Sequence, residues 1–215
     1  ITRQKDGLTY EDVDYQGNLN LLREAQASQN NPLGGVKKFL YVSVFKGEQL
    51  QDIAIGRAKE RFVRALKDSG LDSCVIRPNG FFSDVKAFFD LASQGRGFVF
   101  GNGQFRSNPI HGADLAEVCV SAITGHDTEI EVGGPEVLTQ RAIVELAFQV
   151  QGKPVRLHHI PLWIKPLAMT FGKFFLGAKA FGPVEFFLTV MTMDMVAPTY
   201  GDHTLKTFFE TLNTP

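Results

Sequence analysis

The sequence predicts an α/β fold built on a parallel sheet, and three stretches carry that expectation. Phe39–Val44 is a short run of aromatic and β-branched residues, the composition of a strand buried on both faces. Ile53–Lys67 places Ile55, Ala58, Phe62, Ala65 and Leu66 on one helical stripe. Ser69-Gly70 stops that helix, with Gly70 suited to a left-handed conformation. Cys74–Arg77 is a second short apolar strand, cut off by Pro78, which cannot continue a ladder. Strand, crossover helix and parallel strand make a right-handed βαβ unit. Ligands of open α/β sheets sit beyond the carboxyl ends of the strands, which directs attention to Ser43–Lys46 and to Pro78–Phe82.

The remaining elements follow in order. Thr9 to Gln29 reads as a helix capped by Thr9, with Glu11 and Asp12 at the positive end of its dipole and Val13, Leu21, Leu22 and Ala25 on its apolar face. Gly17 inside it is expected to permit close backbone packing. Asn30 to Gly35 is a turn region. Ser83-Asp84 starts a helix carrying Val85, Phe88, Phe89 and Leu91, and Gly95, Gly97, Gly101 and Gly103 are turn residues around a strand at Phe98–Phe100. Asp114 falls in the first turn of a further helix, with Ala116, Val118, Cys119, Ala122 and Ile123 expected to face inward. Thr128–Val132 is a strand candidate, Thr139 caps another helix, and Val155–His159 is a short strand closed by Pro161.

Composition narrows the function classes. A chain of 215 residues, 44% hydrophobic and 21% charged, fits one sizeable domain or a domain with an appended subdomain. A net charge of −1 carries no electrostatic footprint for nucleic acid. Cys74 and Cys119 lie in apolar segments and read as buried thiols, which with the absence of a charged-then-apolar leader points to a cytoplasmic protein. His158 and His159 point to opposite faces of their strand, and His126 and His203 lack ligand spacing, so no metal site is expected. No G-x-S-x-G elbow and no glycine-rich phosphate fingerprint occurs.

Several of these pieces together resemble a known family. Ser43 after a strand, Ile55-x-x-x-Lys59-Glu60 on the crossover helix and Ile76-Arg77-Pro78-Asn79-Gly80-Phe81-Phe82 after the next strand are similar to the second half of a short-chain dehydrogenase/reductase. The run from Val13 to Leu22, the segment Asn108–Ala116 and Gly133-Gly134-Pro135 followed by Thr139 match the atypical, NmrA-like NAD(P)-binding branch. The resemblance implies an incomplete Rossmann-type parallel sheet, its second half, with a mostly helical C-terminal substrate or lid region. Residues 1–135 would be the C-terminal part of the NAD(P)-binding domain and 136–215 the smaller lid region. The polar opening, Ile1 to Gly7, would then follow the fourth strand, with the phosphate loop upstream of it; a diverged chain that lost its nucleotide grip is the alternative.

The same resemblance implies roles for residues. The cofactor would be NADP or NAD. Ser43 would polarise a substrate carbonyl, and Lys59 would hold the nicotinamide ribose. Pro78, Asn79, Gly80 and Phe81 would run past the nicotinamide, with the amides of Gly80 and Phe81 as donors. The family's catalytic tyrosine position is Ile55 here, and its first asparagine is Asp14. His111 is the remaining proton-transfer candidate, because histidine titrates near neutral pH. Each position also has a plain reading: a serine ending a strand, a solvated helix lysine, an ordinary loop, a histidine packed beside Asp114.

Two function classes remain open at this level. One is an NAD(P)H-binding oxidoreductase of an apolar or carbonyl-containing small molecule. The other is a non-catalytic NAD(P)-binding redox sensor or assembly scaffold. The Phe- and Met-rich stretch from Leu162 to Leu212 reads as pocket lid or core, as a protein interface, or as a membrane-surface segment; charges interrupt it before any apolar run reaches the roughly 20 residues that a span needs.

Overall fold

The structure, a computed structural model, describes residues 7–32 and 34–213, so Ile1–Asp6 of the polar opening lie outside the described residues. Two compact units interleave along the chain: Ile1–Arg77 with Val118–Ile130 and Lys173–Phe186, and Pro78–Glu117 with Glu131–Gly172 and Phe187–Pro215.

The first unit contains the βαβ element. β1 (Phe39–Val42), α2 (Ala54–Lys67) and β2 (Ser73–Pro78) follow α1 (Asn18–Ala27). β1 and β2 run parallel, in register from Phe39 opposite Ser73 to Val42 opposite Ile76. β5 (Glu129–Val132) flanks β2, giving the order β1-β2-β5. Phe62 on α2 is fully buried, and Tyr41 meets it edge-on at a centroid distance of 4.6 Å. Leu22, Val63, Leu66 and Val75 complete this core. A large apolar side chain buried in this way contributes about 1.5–3 kcal/mol.

Local chemistry explains where the elements begin and stop. Thr9 and Asp12 cap reciprocally: the Asp12 amide donates to Thr9 Oγ1 at 3.1 Å, and the Thr9 amide donates to Asp12 Oδ2 at 2.7 Å. The helix they start is wide, a π-helical stretch over Glu11–Gly17, before it tightens into α1. Leu21, expected on the apolar face, is 61% exposed, and the inward positions are Leu22 and Ala25. Gly17 admits no other element; the nearest atom to a Cβ there is its own helix's Asp12 carbonyl at 3.4 Å. Gly70 has φ +75, as its place after α2 requires.

The second unit has α3 (Phe82–Ser93), β3 (Gly97–Phe100), β4 (Arg106–Ser107), β6 (Leu138–Thr139), α5 (Gln140–Val150), β7 (Leu157–Ile160) and α7 (Leu205–Leu212). β3 pairs parallel with β7, and β4 antiparallel with β6. Phe82, Phe88, Val99, Val144, Phe148 and Phe209 form the core. Thr139 Oγ1 accepts from the Ala142 amide at 3.1 Å, capping α5. Gly95, Gly101 and Gly103 all have positive φ, whereas Gly97, expected in a turn, opens β3 opposite Leu157, where a Cβ would collide with Val144 and the Arg156 carbonyl.

Two helices, α4 (Gly112–Thr124) and α6 (Ile164–Val190), contribute residues to both units. On α4 the buried positions are Leu115, Val118 and Ala122, whereas Ala116 and Ile123, expected inward, are exposed. The helix is apolar on most sides, so periodicity does not single out its core face. α6 is broken at Gly177, whose φ of 73° and ψ of 154° are not helical. On it Phe181 is buried, whereas Phe174 and Phe175 are exposed. No helix among the described residues is long and apolar enough to cross a membrane.

Candidate functional site

In the first unit the carboxyl end of β1 is marked by backbone strain. Lys46 has φ +54, the one non-glycine residue with positive φ among those described. Ser43, just past β1, donates its amide to the Ile76 carbonyl at 2.8 Å and is buried. Its hydroxyl lies 3.5 Å from Glu60 Oε1, at the outer limit of a hydrogen bond.

Glu60 itself is the buried surprise. It sits next to Lys59 on α2 and is 3% exposed. Arg77, at the end of β2, grips it through two parallel bonds, Nη1 to Oε1 at 2.6 Å and Nη2 to Oε2 at 3.1 Å. Arg77 Nε also donates to Glu129 on β5, and Lys67 meets the other Glu129 oxygen at 2.7 Å. Burial works against the Arg77 charge, but the bonds to Glu60 and Glu129 outweigh it and raise its pKa. Burial raises the Glu129 pKa, and the bonds from Lys67 and Arg77 overcome that and hold it below its ordinary value. Gly47 packs directly on the Glu60–Arg77 pair, and a Cβ there would collide with both side chains.

Lys59 faces Asp14. Its Nζ lies 3.2 Å from Asp14 Oδ1 and 5.3 Å from the centroid of the Tyr41 ring. The lysine side chain is 17% exposed. Tyr41 precedes Ser43 by two residues and so shares its strand face. Burial, reinforced by the Asp14 and Glu60 charges, pushes the Tyr41 phenol upward. Tyr10 is raised in the same way, by burial and then by Asp14 and Glu185. The expected Ser43 and Lys59 therefore lie in one unit, Ser43 just past the carboxyl end of β1 and Lys59 on α2. The groove between α1 and β1, lined by Leu21, Ala25, Val36 and Phe39, sits instead at the amino end of β1.

In the second unit the loop after Pro78 is held by its own residues. Asn79 is buried; its Nδ2 donates to Asn108 Oδ1 at 2.8 Å and to the Met195 carbonyl, and its Oδ1 accepts from the Gly80 amide at 2.8 Å. Phe81 donates its amide to Asp84 Oδ2 at 3.1 Å. Both amides expected to serve a ligand are thus engaged within the chain. Gly80 nevertheless has an open flank, since a Cβ there would meet nothing within 4 Å. Asn108, fully buried, also donates to the Gly134 and Ala197 carbonyls and accepts from the Ala197 amide.

His111 does not pair with Asp114. His203 does, with Nδ1 2.5 Å from Asp114 Oδ1, and His111 stacks on the His203 ring at 4.3 Å. The 89-residue separation of Asp114 and His203 hid that pairing from spacing arguments. Glu60 lies off the apolar stripe of Ile55, Ala58, Phe62, Ala65 and Leu66, so periodicity gave no sign of its burial; the one signal was an arginine, Arg77, ending an apolar strand. Among the described residues no group of three or more His, Cys, Asp or Glu side chains is placed to hold a metal ion.

No protein-family model matches the chain. A chloroplastic divinyl chlorophyllide a 8-vinyl-reductase of Oryza sativa subsp. indica is 27% identical over 227 residues, covering 92% of this chain and 54% of that protein. The photosystem II assembly factor Ycf39 of Synechocystis is 24% identical over 210 residues, covering 92% of this chain and 62% of that protein. This chain spans roughly half to three-fifths of the length of these relatives. Among solved structures, an NADPH-dependent quinone oxidoreductase of Escherichia coli complexed with NADPH superimposes with a TM-score of 0.65 at 16% identity, covering 91% of this chain and 70% of that one. A nucleoside-diphosphate-sugar epimerase of Staphylococcus aureus gives a TM-score of 0.59 at 16% identity, covering 89% and 69%. The fold of this chain is accordingly Rossmann-type α/β.

Proposed function

We propose that this chain is part of an NAD(P)H-binding oxidoreductase of the atypical short-chain dehydrogenase/reductase type, acting on a carbonyl-containing or apolar small molecule. The observation that carries the reading is the parallel β1-α2-β2 unit, which brings Ser43 to the carboxyl end of β1 and Lys59 onto the crossover helix. The likeness to NAD(P)-dependent proteins supports it.

The residues present suit a dinucleotide. Lys59 carries three N–H donors, and Asp14 Oδ1 takes one direction of them. Asp14 holds the ammonium in place, and the ammonium donates to the ribose hydroxyl oxygens. In the second unit, taken by itself, Pro78, Asn79, Gly80 and Phe81 are a separate candidate cofactor-binding segment, through the open flank of Gly80 rather than through free amides. When bound, the nicotinamide supplies the hydride. Ser43 Oγ donates a hydrogen bond to the substrate carbonyl oxygen; its 3.5 Å contact with Glu60 is weak and costs little to leave. With Ile55 in place of a tyrosine, the proton comes from water or from another side chain.

The test is turnover. The full-length gene product is incubated with NADPH and a panel of quinones, ketones, aldehydes and conjugated vinyl compounds. Oxidation of NADPH by any of them, reduced at least tenfold in kcat by Ser43→Ala with NADPH affinity unchanged, supports the reading. Tight NADPH binding with no turnover across the panel supports a sensor in place of an enzyme.

A further inference from the structure

The second unit holds an ionisable cluster that the nucleotide reading does not use. Asp114 is 2% exposed, and its Oδ1 meets His203 Nδ1 at 2.5 Å. Its second oxygen, Oδ2, is buried with no hydrogen-bond partner among the described residues. Gly201, at φ +86, crosses directly over the carboxylate, where any Cβ would collide with it. The His203 side chain is 49% exposed, so the charge is buried and the imidazole is not. His111 stacks on that imidazole at 4.3 Å with the rings 17° apart. Phe82 and Phe208 flank His111 at centroid distances of 5.6 and 6.3 Å.

Hydrogen-bond roles assign opposite tautomers to the two rings. An ionised carboxylate only accepts, so His203 carries its proton on Nδ1 and leaves Nε2 as a lone pair. His111 is the reverse: the Ala113 amide donates to its Nδ1 at 3.2 Å, so the neutral ring carries its proton on Nε2. One stacked pair therefore presents a base and a donor. A buried carboxylate that fixes the tautomer of a half-exposed imidazole and supports the imidazolium formed on it is the arrangement of a general base.

We propose that Asp114, His203 and His111 form a proton-transfer site for a small carbonyl compound with a removable neighbouring C–H. His203 Nε2 takes that proton as the C–H bond breaks; the electron pair forms a C=C bond, and the carbonyl becomes an enolate that accepts a hydrogen bond from His111 Nε2–H. Return of the proton from His203 restores the ketone, so no oxidant or reductant is consumed. Asp114 is a positioning residue. The site uses neither nucleotide nor Ser43 nor Lys59, so its failure and the failure of the nucleotide reading are separable.

Two measurements on the full chain, without nucleotide, test it. Long-range proton–nitrogen spectra of the histidines are expected to show His203 in the Nδ1–H form and His111 in the Nε2–H form; Asp114→Asn is expected to shift His203 toward the Nε2–H form common in water. Deuterium incorporation into a panel of small ketones and aldehydes in deuterium oxide is expected to run at least tenfold faster with the wild type than with His203→Ala, a half-exposed position whose truncation leaves the core intact. A His203 in the Nε2–H form in the wild type, or equal incorporation by wild type and His203→Ala across the whole panel, would overturn the proposal.

Discussion

Lys59 and Asp14 form an ion pair, ammonium to carboxylate at 3.2 Å, on a unit where the family pattern that this chain resembles has an asparagine in place of Asp14. The substitution turns a neutral neighbour of the lysine into a charged one. It spends part of the lysine's charge locally. Asp14→Asn therefore removes attraction that a ligand must share. NADPH carries several negative charges, so its affinity for the full-length protein is expected to rise two- to tenfold in Asp14→Asn, read by calorimetric titration. A fall in affinity would show that the carboxylate itself contacts the ligand.

The Glu60–Arg77 pair predicts a large stability effect. Both side chains are at most 4% exposed. Removing one partner strands the other as a buried charge, which costs about 3–5 kcal/mol. Glu60→Gln is expected to lower the unfolding free energy by that amount in denaturant titration. A loss under about 1 kcal/mol would mean that water or Glu129 satisfies Arg77 unaided.

Glu129 predicts a pH dependence. Its pKa in the folded protein is held below the ordinary value of 4.5, by Lys67 and Arg77 against the opposing effect of burial. Below 4.5 the unfolded chain binds a proton at this position before the folded chain does, so stability falls as pH falls. The contribution is complete above about pH 4.5 and is lost as pH drops through the lower folded value. Denaturation curves from pH 6 to pH 2.5 are expected to show a shallower acid loss in Glu129→Gln than in the wild type. Parallel curves would remove Glu129 from the acid response.

Asn108 predicts that the loop after β2 depends on one amide. It is fully buried and bonds Asn79, Gly134 and Ala197. Asn108→Ala leaves several buried polar groups unpaired at roughly 1–3 kcal/mol each, so a loss of about 3 kcal/mol or more is expected. Faster amide hydrogen exchange at Gly80 and Ala197 would accompany it. Unchanged exchange at both would contradict the latch.

The central βαβ unit was legible because its signals are local. Phe39–Val42 and Ser73–Pro78 are short apolar runs, and α2 has a one-sided stripe. Gly70 and Thr139 were legible for the same reason, since turn and cap chemistry act within a few residues. Three kinds of feature were not. The inward face of α4 was misread because apolar residues surround it. Gly17 read as a packing contact, although the helix around it simply widens. The bonds of Glu60 to Arg77 and of Asp114 to His203 join residues 17 and 89 positions apart, and only the fold brings them together. The amides of Gly80 and Phe81 are a different case: the chain's own Asn79 and Asp84 occupy them through local side-chain-to-backbone bonds, which act within a few residues.

The proposed nucleotide site rests most directly on Lys59, which α2 holds beside Asp14 and the Tyr41 ring, as a dinucleotide-binding residue. NADPH titration of the full-length gene product, wild type against Lys59→Ala, tests it in one step. Loss of a charge-assisted hydrogen bond costs about 1.5–3 kcal/mol, so the dissociation constant is expected to rise at least tenfold in Lys59→Ala with the fold intact by circular dichroism. Equal affinity in the two proteins would contradict the account and leave Lys59 as the partner of Asp14 alone.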